Sequence, residues 1–484
     1  MRIQLTCCNL ETEEIRRFHE DRSKEELEAW FRSVIHEYFK WARYLCHHEL
    51  QRNQSISGLE FPFPYREGQR DLAVAVYKTI SRKKRLFIQA PTGIGKTLST
   101  IFPAVQAMGA GKASKVFYLT AKTITRTVAE EAFRILRSRG LVFTAVTITA
   151  KEKLCPMEKA ECNPEACPYA KGHFDRVNEA VFDILHLEQE MDRETVLRYA
   201  EKYRVCPFEF CLDISNWVDG IICDYNYVFD PNVKLKRYFD QGEPGQGYLF
   251  LVDEAHNLVP RAREMYSASL IKEDVLLTKR ILKTQTGSGK VIAQLDKCNQ
   301  RFLELKRSYG GDEGERRTVL GSTYELLPDV NVLALNLMTM FGELETFMNE
   351  NIEFPDRDLV LEFYFAVRDF LYVYDRLDES YRIYDQILAD GSFMVKLLCI
   401  NPAVNLKECL DKGVSTLFFS ATLLPIQYYK ELLSGSQEEY AVYAKSPFPE
   451  ENRMVLAASD VSSRYSRRNR TEFGKVADYI TELA

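Results

Sequence analysis

The chain has 484 residues, of which 46% are hydrophobic and 28% are charged, and its formal net charge is −6. This length exceeds that of a single-core domain and predicts roughly two to four domains. The acidic balance excludes a protein whose whole surface attracts nucleic acid, so any such surface must be a local groove.

The chain also lacks the sequence features of a membrane or secreted protein. No apolar run approaches the roughly 20 residues needed to span a bilayer, and the start, MRIQLTCCNLETEE, becomes acidic too early for a signal peptide. We therefore expect a cytoplasmic protein that contacts no membrane. In that compartment the twelve cysteines are expected to be metal ligands or buried thiols rather than disulfides.

Residues 1–58 precede the first chemical motif. RIQLTCC is a candidate strand, and SKEELEAWFRSVIHEYFKWARYL repeats apolar residues at three- and four-residue steps, which predicts an amphipathic helix. The acidic triad of a nuclease is not visible in this segment, so we predict no nuclease activity.

The stretch FIQAPTGIGKTLST, residues 87–100, resembles a phosphate-binding loop between a strand and a helix. The pattern G-x-x-x-x-G-K-[ST] is met except at its first position, where Ala90 stands. Backbone N–H groups near Gly93 and Gly95 would cradle phosphates, Lys96 would reach the β- and γ-phosphates, and Thr97 would bind Mg²⁺. The alternative is a glycine-rich turn with a chance Gly-Lys-Thr. Including an upstream glutamine whose amide suits an adenine edge, the predicted nucleotide contacts are Gln69, Ala90, Pro91, Thr92, Gly93, Ile94, Gly95, Lys96 and Thr97.

VFYLTAKTITRT, residues 116–127, predicts a strand that ends in polar side chains and leads into a helix. Thr120, Lys122, Thr123 and Arg126 suit contacts to the phosphates of a nucleic-acid strand. The alternative is an ordinary helix start, because threonine caps helices well. The position of the segment among the other motifs favours the phosphate contact.

Three cysteines, Cys155, Cys162 and Cys167, are spaced C-x6-C-x4-C, and Cys206 opens a later Cys-Pro-Phe. Four thiolates suit either tetrahedral Zn²⁺ or a [4Fe–4S] cluster. Structural zinc sites favour ligand pairs about two to four residues apart, which this spacing matches poorly. The fourth ligand has two competitors, Cys211 and Cys223, of which the second lies in an apolar stretch and is better explained as a buried thiol. Iron–sulfur, zinc and ligand-free cysteines therefore remain as alternatives.

LFLVDEAHNL, residues 249–258, predicts a buried parallel strand followed at once by acidic residues. Acidic groups at the carboxyl end of such a strand lie beside the phosphate-binding loop in an open α/β sheet. Asp253 would hold Mg²⁺, and Glu254 would orient and deprotonate the attacking water. His256 would sense the γ-phosphate.

The remaining chain contains a long polar segment and one more strand. Residues 262–395 are rich in Leu, Glu, Arg and aromatic residues, show no strand alternation and predict helices. STLFFSATLLP, residues 415–425, predicts a third buried strand. Its Ser420 and Thr422 are candidates for coupling nucleotide state to domain movement. The alternative is a strand closed by a turn of small residues.

The four motifs, namely the upstream Gln69, Gly-Lys-Thr, Asp-Glu-Ala-His and Ser-Ala-Thr, occur in an order that resembles a superfamily 2 helicase of the DEAH type. The distance from the loop to the DEAH motif is unusually long and contains the cysteines. This arrangement resembles the iron–sulfur helicases related to DinG and to the xeroderma-pigmentosum D protein, and is most similar to their bacterial members. The resemblance covers about residue 60 to the C-terminus.

The resemblance implies an α/β fold, in which a RecA-like P-loop motor domain with a parallel sheet carries a cysteine-rich iron–sulfur insertion and a mainly α-helical arch insertion. Residues 1–58 are similar to the tail of a nuclease-like domain of related bacterial proteins. The other implied segments are motor domain 1 at 59–150, 213–261 and 396–445, the iron–sulfur insertion at 151–212, the arch at 262–395, and an incomplete start of motor domain 2 at 446–484.

The implied activity is that of an ATP-dependent DNA helicase, which moves 5′ to 3′ on single-stranded DNA and unwinds forked duplex in repair or replication. The implied cofactors are ATP, Mg²⁺ and a [4Fe–4S] cluster held by Cys155, Cys162, Cys167 and Cys206. No protein partner is implied.

The sequence departs from the family after the Ser-Ala-Thr motif, because no further strand–loop series follows. A second motor domain normally supplies arginines that stabilise charge on the transferred phosphoryl group. We therefore expect a fragment that binds nucleotide and DNA with impaired turnover. Two alternatives are an ATP- and DNA-binding module without unwinding activity, and a P-loop metalloprotein switch unrelated to DNA.

Overall fold

The computed structural model describes residues 1–483 except 11, 122, 241–244, 309–316, 320–321, 352, 447–450 and 452–454. The described residues form an eight-stranded sheet, a five-stranded sheet and an N-terminal hairpin. Across these ranges, no helix combines the length and the apolar character needed to cross a bilayer.

The N-terminal segment is a hairpin followed by a long helix. Strands β1 (Arg2–Cys8) and β2 (Ile15–Asp21) pair antiparallel, and helix α1 spans Lys24–Ser57. The helix begins with a capping box, because Ser23 Oγ accepts from the Glu26 N–H and the Glu26 carboxylate accepts from the Ser23 N–H. The predicted strand and helix are confirmed, whereas β2 was not predicted from the sequence.

The second half of α1 packs against the main body of the protein. The Trp41 ring lies 4.2 Å from the Trp217 ring, measured between centroids. Arg52 donates to the buried Asp219 carboxylate at 2.8 Å, and Ile56 is buried in the core. These contacts fix the helix on the main sheet.

Residues 59–265 alternate helices and strands, as the predicted α/β fold requires. From 59 to 150 the elements are α2 (Gln69–Ser81), β3 (Arg85–Gln89), α3 (Lys96–Gly109), β4 (Lys115–Thr120), α4 (Thr123–Ser138) and β5 (Ala145–Thr147). Then follow α5 (Lys151–Leu154), α6 (His173–Leu187), β6 (Glu190–Met191), α7 (Arg193–Tyr203), α8 (Pro207–Ser215), β7 (Gly220–Asp224), α9 (Asn226–Phe229), α10 (Lys236–Phe239), β8 (Tyr248–Asp253) and α11 (Leu258–Met265).

Residues 266–399 form a unit of helices and strands. The elements are β9 (Ala268–Ile271), α12 (Lys272–Leu282), α13 (Gly289–Ser308), β10 (Arg317–Val319), β11 (Ser322–Leu327), α14 (Asn331–Glu350), α15 (Arg357–Tyr374), β12 (Tyr381–Ile387) and β13 (Phe393–Cys399). The strands pair antiparallel in the order β10-β11-β12-β13-β9.

The expectation that 262–395 contains no strand pattern is therefore wrong. In β13, buried residues such as Phe393, Val395 and Leu397 alternate with half-buried ones, which is the period of a sheet with one face on the core. The strands are short and alternate with long helices, so the helical pattern dominates the sequence of this unit. Helices contribute most of its described residues.

The C-terminal elements complete the main sheet. They are α16 (Ala403–Leu410), β14 (Gly413–Ser420), α17 (Ile426–Ser434), β15 (Tyr440–Tyr443) and α18 (Arg470–Leu483). All strands of the main sheet are parallel, in the order β15-β3-β14-β8-β4-β7-β5-β6. The three strands that precede the predicted motifs, β3, β14 and β8, are therefore direct neighbours, and their carboxyl ends meet at one edge.

Candidate functional site

The loop between β3 and α3 has the backbone of a phosphate-binding loop. Gly93 and Gly95 have φ angles of 87° and 77°, a left-handed conformation that favours glycine. A Cβ atom on Gly95 would lie 2.7 Å from Gln69 Nε2, so any side chain here would have to displace the Gln69 amide. Ala90, in contrast, is buried, its N–H donates to the Ser420 carbonyl at 3.0 Å, and its φ lies outside the left-handed region, so this position does not require glycine.

Gln69 lies against this loop. Its Oε1 accepts from the Arg66 N–H and its Nε2 donates to the Ile94 carbonyl, both at 3.0 Å. The buried Gln69 amide thus stabilises the conformation of the phosphate-binding loop through the Ile94 carbonyl. Its predicted contact with an adenine edge stays a prediction.

Asp253 is the last residue of β8 and is only 5% exposed. Its Oδ2 accepts from the Tyr118 hydroxyl and its Oδ1 accepts from the Glu254 N–H, each at 2.8 Å. Burial, with a smaller effect of the Glu254 charge, raises the pKa of Asp253 to about 6, although Tyr118 and Lys96 oppose the rise. A buried carboxylate with so little neutralising charge is a natural ligand for a divalent cation.

Lys96 and Glu254 bring the loop and the acidic motif together. Lys96 Nζ lies 3.9 Å from Glu254 Oε1, and both side chains are largely shielded from solvent. Glu254 itself has a left-handed φ of 48°, which aims its side chain back toward the loop. The Tyr225 hydroxyl donates to the carbonyls of Asp253 and Glu254 and supports this turn.

The third motif joins the same cluster through Ser420. The Ser420 hydroxyl donates to Glu254 Oε2 at 2.9 Å and lies 2.8 Å from His256 Nδ1. It also accepts from the Thr422 N–H at 3.2 Å. Hydrogen bonds and one ion pair thus connect the predicted loop, acidic and Ser-Ala-Thr residues in a single network.

Two tyrosines of this network were not predicted from the sequence. The Tyr118 side chain contacts Thr97 as well as Asp253, and it lies in β4, beside β8. Tyr225 follows directly after β7. A signal was available, because a buried tyrosine hydroxyl needs a polar partner and both residues lie near carboxyl ends of strands in the same sheet.

The predicted nucleic-acid contacts at the end of β4 are partly engaged within the protein. The Thr120 and Thr125 hydroxyls are hydrogen-bonded to each other, and Arg126 lies 3.8 Å from the Asp224 carboxylate. Lys122 lies outside the described residues, as does the side chain of Thr123. Their contacts with DNA remain predictions.

A basic groove opens next to this strand end. It has a volume of about 630 Å³ and lies between Ala121, helix α11 and strand β13. Arg261, Arg263 and Lys396 line it, and the two arginines are oriented by bonds from Nε to Asn226 Oδ1 and to the Ile400 carbonyl. The net positive lining makes it a local surface suited to a polyanion.

The four predicted metal ligands lie in one small unit. Cys155 directly follows α5, Cys162 and Cys167 lie in the loop after it, and Cys206 directly precedes α8. A hydrogen bond to Cys162 and the neighbouring thiols raise the pKa of Lys151. Burial raises the pKa of Cys206, while the backbone N–H groups of α8 oppose the rise.

The competing cysteines are buried elsewhere. Cys211 donates to the Thr147 carbonyl at 3.7 Å, and burial raises its pKa to about 12. Cys223 is buried within β7. Four thiols in one unit suit a soft metal chemically, although in the described part of the chain no three His, Cys, Asp or Glu side chains are arranged as a metal site.

Known proteins are similar to this chain in sequence and in fold. The DEAD/DEAH box helicase family matches residues 70–199, and the DEAD_2 family matches residues 141–275. The chain is 21% identical over 466 residues to the "Probable ATP-dependent helicase MJ0942" of Methanocaldococcus jannaschii, covering 86% of this chain and 67% of that protein. It is 24% identical to the "Regulator of telomere elongation helicase 1 homolog" of Caenorhabditis briggsae, over 47% of this chain and 27% of that protein.

A solved structure titled XPD helicase superposes with a TM-score of 0.51 and 18% identity, covering 87% of this chain and 70% of that chain. That match shows the fold. The chain spans about two thirds of the archaeal relative and about a quarter of the nematode one. Together with the motifs and their geometry, these similarities confirm the resemblance to XPD-like helicases of superfamily 2: the chain carries a DEAD/DEAH box helicase region at 70–199 and a DEAD_2 region at 141–275.

Proposed function

We propose that this chain binds Mg·ATP at the edge where β3, β14 and β8 end, and uses its hydrolysis to move along single-stranded DNA. The observation that carries the proposal is the network of Lys96, Glu254 and Ser420, with Asp253 beside it. Three motifs from distant parts of the sequence meet where a triphosphate would have to lie.

Each group in the network has a chemical role that follows from its position. The N–H groups around Gly93 and Gly95, together with the N-terminus of α3, bind the phosphates. Lys96 neutralises charge on the β- and γ-phosphates, while Thr97 and Asp253 hold Mg²⁺, which supplies electrophilic stabilisation when bound. Glu254, turned toward Lys96, orients the attacking water and accepts its proton.

Ser420 provides the link from hydrolysis to movement. The Ser420 hydroxyl donates to Glu254 and contacts His256. When the γ-phosphate leaves and Glu254 moves, this hydrogen bond therefore shifts the end of β14 and the turn that follows it. We assign the coupling role to Ser420 and Thr422 on this basis.

The basic groove beside Ala121 is the proposed path of the single strand. Arg261 and Arg263 of α11 and Lys396 of β13 line the groove and suit contacts to backbone phosphates. The groove opens at the same sheet edge as the nucleotide site, which allows ATP binding to shift the strand. This arrangement favours a nucleic-acid motor over a nucleotide switch unrelated to DNA.

The cysteine unit is proposed to hold a [4Fe–4S] cluster through Cys155, Cys162, Cys167 and Cys206. The burial of the Cys211 thiol against Thr147 favours Cys206 as the fourth ligand. A cluster would crosslink the exposed loop at 158–166 to the start of α8 and would allow the unit to act as a wedge at a fork. Zn²⁺ is the alternative occupant, and measuring the iron and zinc content of the purified protein would distinguish the two.

The finer features follow the family and stand as proposals. They are 5′-to-3′ movement, a preference for forked duplex, a role in DNA repair and a cytoplasmic location. An ATP- and DNA-binding module without unwinding activity is the second candidate.

The test is ATP hydrolysis with and without single-stranded oligo-dT, followed by unwinding of a forked duplex, using anaerobically prepared protein. Hydrolysis stimulated by the oligonucleotide and abolished by Lys96→Ala, but retained by the exposed control Lys112→Ala, supports the motor. Binding of both ligands without turnover supports the module. Failure of the wild-type chain to bind Mg·ATP refutes both.

A further inference from the structure

A second cleft lies between helix α1 and the end of helix α6, and none of its lining residues belongs to the nucleotide motifs. Its volume is about 670 Å³, within the range of small-molecule and nucleotide sites. Basic and aromatic side chains from both helices line it, among them Phe39, Lys40, Arg43, His47, Phe182 and His186. The cleft is an open groove with one basic wall.

The acidic groups near this cleft are already neutralised. Asp219 lies behind the wall, where His48 Nε2 at 2.7 Å and Arg52 at 2.8 Å bond its carboxylate. Glu188 accepts from Arg198 at 2.5 Å. The cleft therefore offers little negative charge to oppose an anion.

Lys40, Arg43 and His47 of helix α1 line the cleft and are available to a ligand. In the part of the chain that the structure describes, no ion pair involves Arg43 or His47, and both are exposed. Lys40 reaches the exposed Glu37 at only 3.5 Å and lies 4.3 Å above the Phe182 ring. Exposed pairs of this kind are weak, so an anion would compete for Lys40 as well.

Aromatic rings also line this cleft. The His186 ring lies 4.0 Å from the Phe182 ring and 4.9 Å from the Tyr44 ring. Phe39 is 62% exposed at the rim and has no ring neighbour among the described residues. A cationic groove with an uncovered aromatic face is the combination that binds single-stranded nucleic acid, in which base faces are free to stack.

We infer that this cleft is a second binding site for single-stranded DNA, with a base on Phe39 and phosphates on Arg43 and His47. The inference rests on the proposed function. The α6 helix continues directly from the cysteine-containing loop that we assign to strand separation, so a strand leaving that unit has a short path to the cleft. A duplex is the poorer occupant, because its base faces are stacked inside.

The test measures the affinity of fluorescent oligo-dT by anisotropy at several salt concentrations. Phe39→Ala should weaken binding about fivefold or more, since one stacked base is lost. Arg43→Glu should weaken it and reduce the slope of log K against log salt by about 0.7 for one lost phosphate contact. The matched controls are Phe473→Ala, whose ring is 58% exposed on α18, and Lys112→Glu.

The affinity for Mg·ATP and the melting temperature of each variant report whether the main body is intact. With these unchanged, cleft variants that bind oligo-dT no worse than their controls overturn the inference and leave the proposed function standing. Cleft variants that lose affinity only for duplex overturn it in the same way. If wild-type protein binds no single strand at all, the proposed function falls together with the cleft.

Discussion

Replacing Asp253 by asparagine should stabilise the ligand-free protein while destroying its nucleotide site. The carboxylate is buried at the end of β8, and its pKa is raised from an ordinary 3.8 to about 6. At about 1.4 kcal/mol per pH unit, keeping this group ionised above pH 6 costs the folded state about 3 kcal/mol. Asparagine carries no such charge.

The sign of the pH dependence follows from the direction of the shift. Because the folded-state pKa is the higher one, the folded protein binds more protons than the unfolded chain between about pH 4 and pH 6, so stability falls as pH rises through this window. The asparagine keeps one of the two hydrogen bonds, from Tyr118 or from the Glu254 N–H, and losing the other costs about 1 kcal/mol. The expected net gain is about 2 kcal/mol at pH 8 and about 0.6 kcal/mol at pH 5, where part of the cost of ionisation remains.

The assay is thermal melting at pH 5 and pH 8, with and without Mg·ATPγS, for wild type, Asp253→Asn and the exposed control Asp478→Asn. Without ligand, Asp253→Asn should melt a few degrees higher than wild type at pH 8, and the difference should be several-fold smaller at pH 5. With saturating ligand the order should reverse, because only wild type gains binding free energy. A variant that is destabilised equally at both pH values would show that the buried charge does not cost the folded state free energy.

Other variants test the remaining contacts of the site. Ser420→Ala should leave the affinity for Mg·ATP unchanged but reduce stimulation of hydrolysis by single-stranded DNA, and loss of nucleotide binding would contradict the coupling role. Tyr225→Phe removes support from the turn at Glu254 and should lower kcat about tenfold, the value of one hydrogen bond of about 1.4 kcal/mol; an unchanged kcat would show that the turn holds without it. Cys206→Ser should lose iron and the brown absorption while Cys211→Ala keeps both, and the opposite result would exchange their roles.

The parts of the fold that the sequence predicted are those where local pattern and chemistry agree. Strands β3, β8 and β14 are short apolar runs closed by motifs, and a strand of a parallel sheet is buried on both faces, so its pattern is continuous. Since carboxyl ends of such strands share an edge, the meeting of Lys96 with Glu254 followed from sequence order alone.

The parts that were missed depend on tertiary contacts. The five-stranded sheet at β9 to β13 joins segments more than 100 residues apart. No local sequence pattern predicts that Ala268–Ile271 pairs with β13. The positioning of Asp253 by Tyr118 comes from strand adjacency, which periodicity does not report. The cysteine spacing indicates ligands but leaves their arrangement in space open.

The most direct test of the nucleotide site is whether Lys96 and Asp253 act on one metal–nucleotide. Calorimetric titration of ATPγS should be carried out with and without Mg²⁺ on wild type, Lys96→Ala, Asp253→Ala and the double variant. If they share one ligand, Lys96→Ala weakens binding under both conditions, Asp253→Ala removes only the gain due to Mg²⁺, and the two effects are not additive. Full magnesium dependence in Asp253→Ala, with additive losses in the double variant, would contradict a shared site.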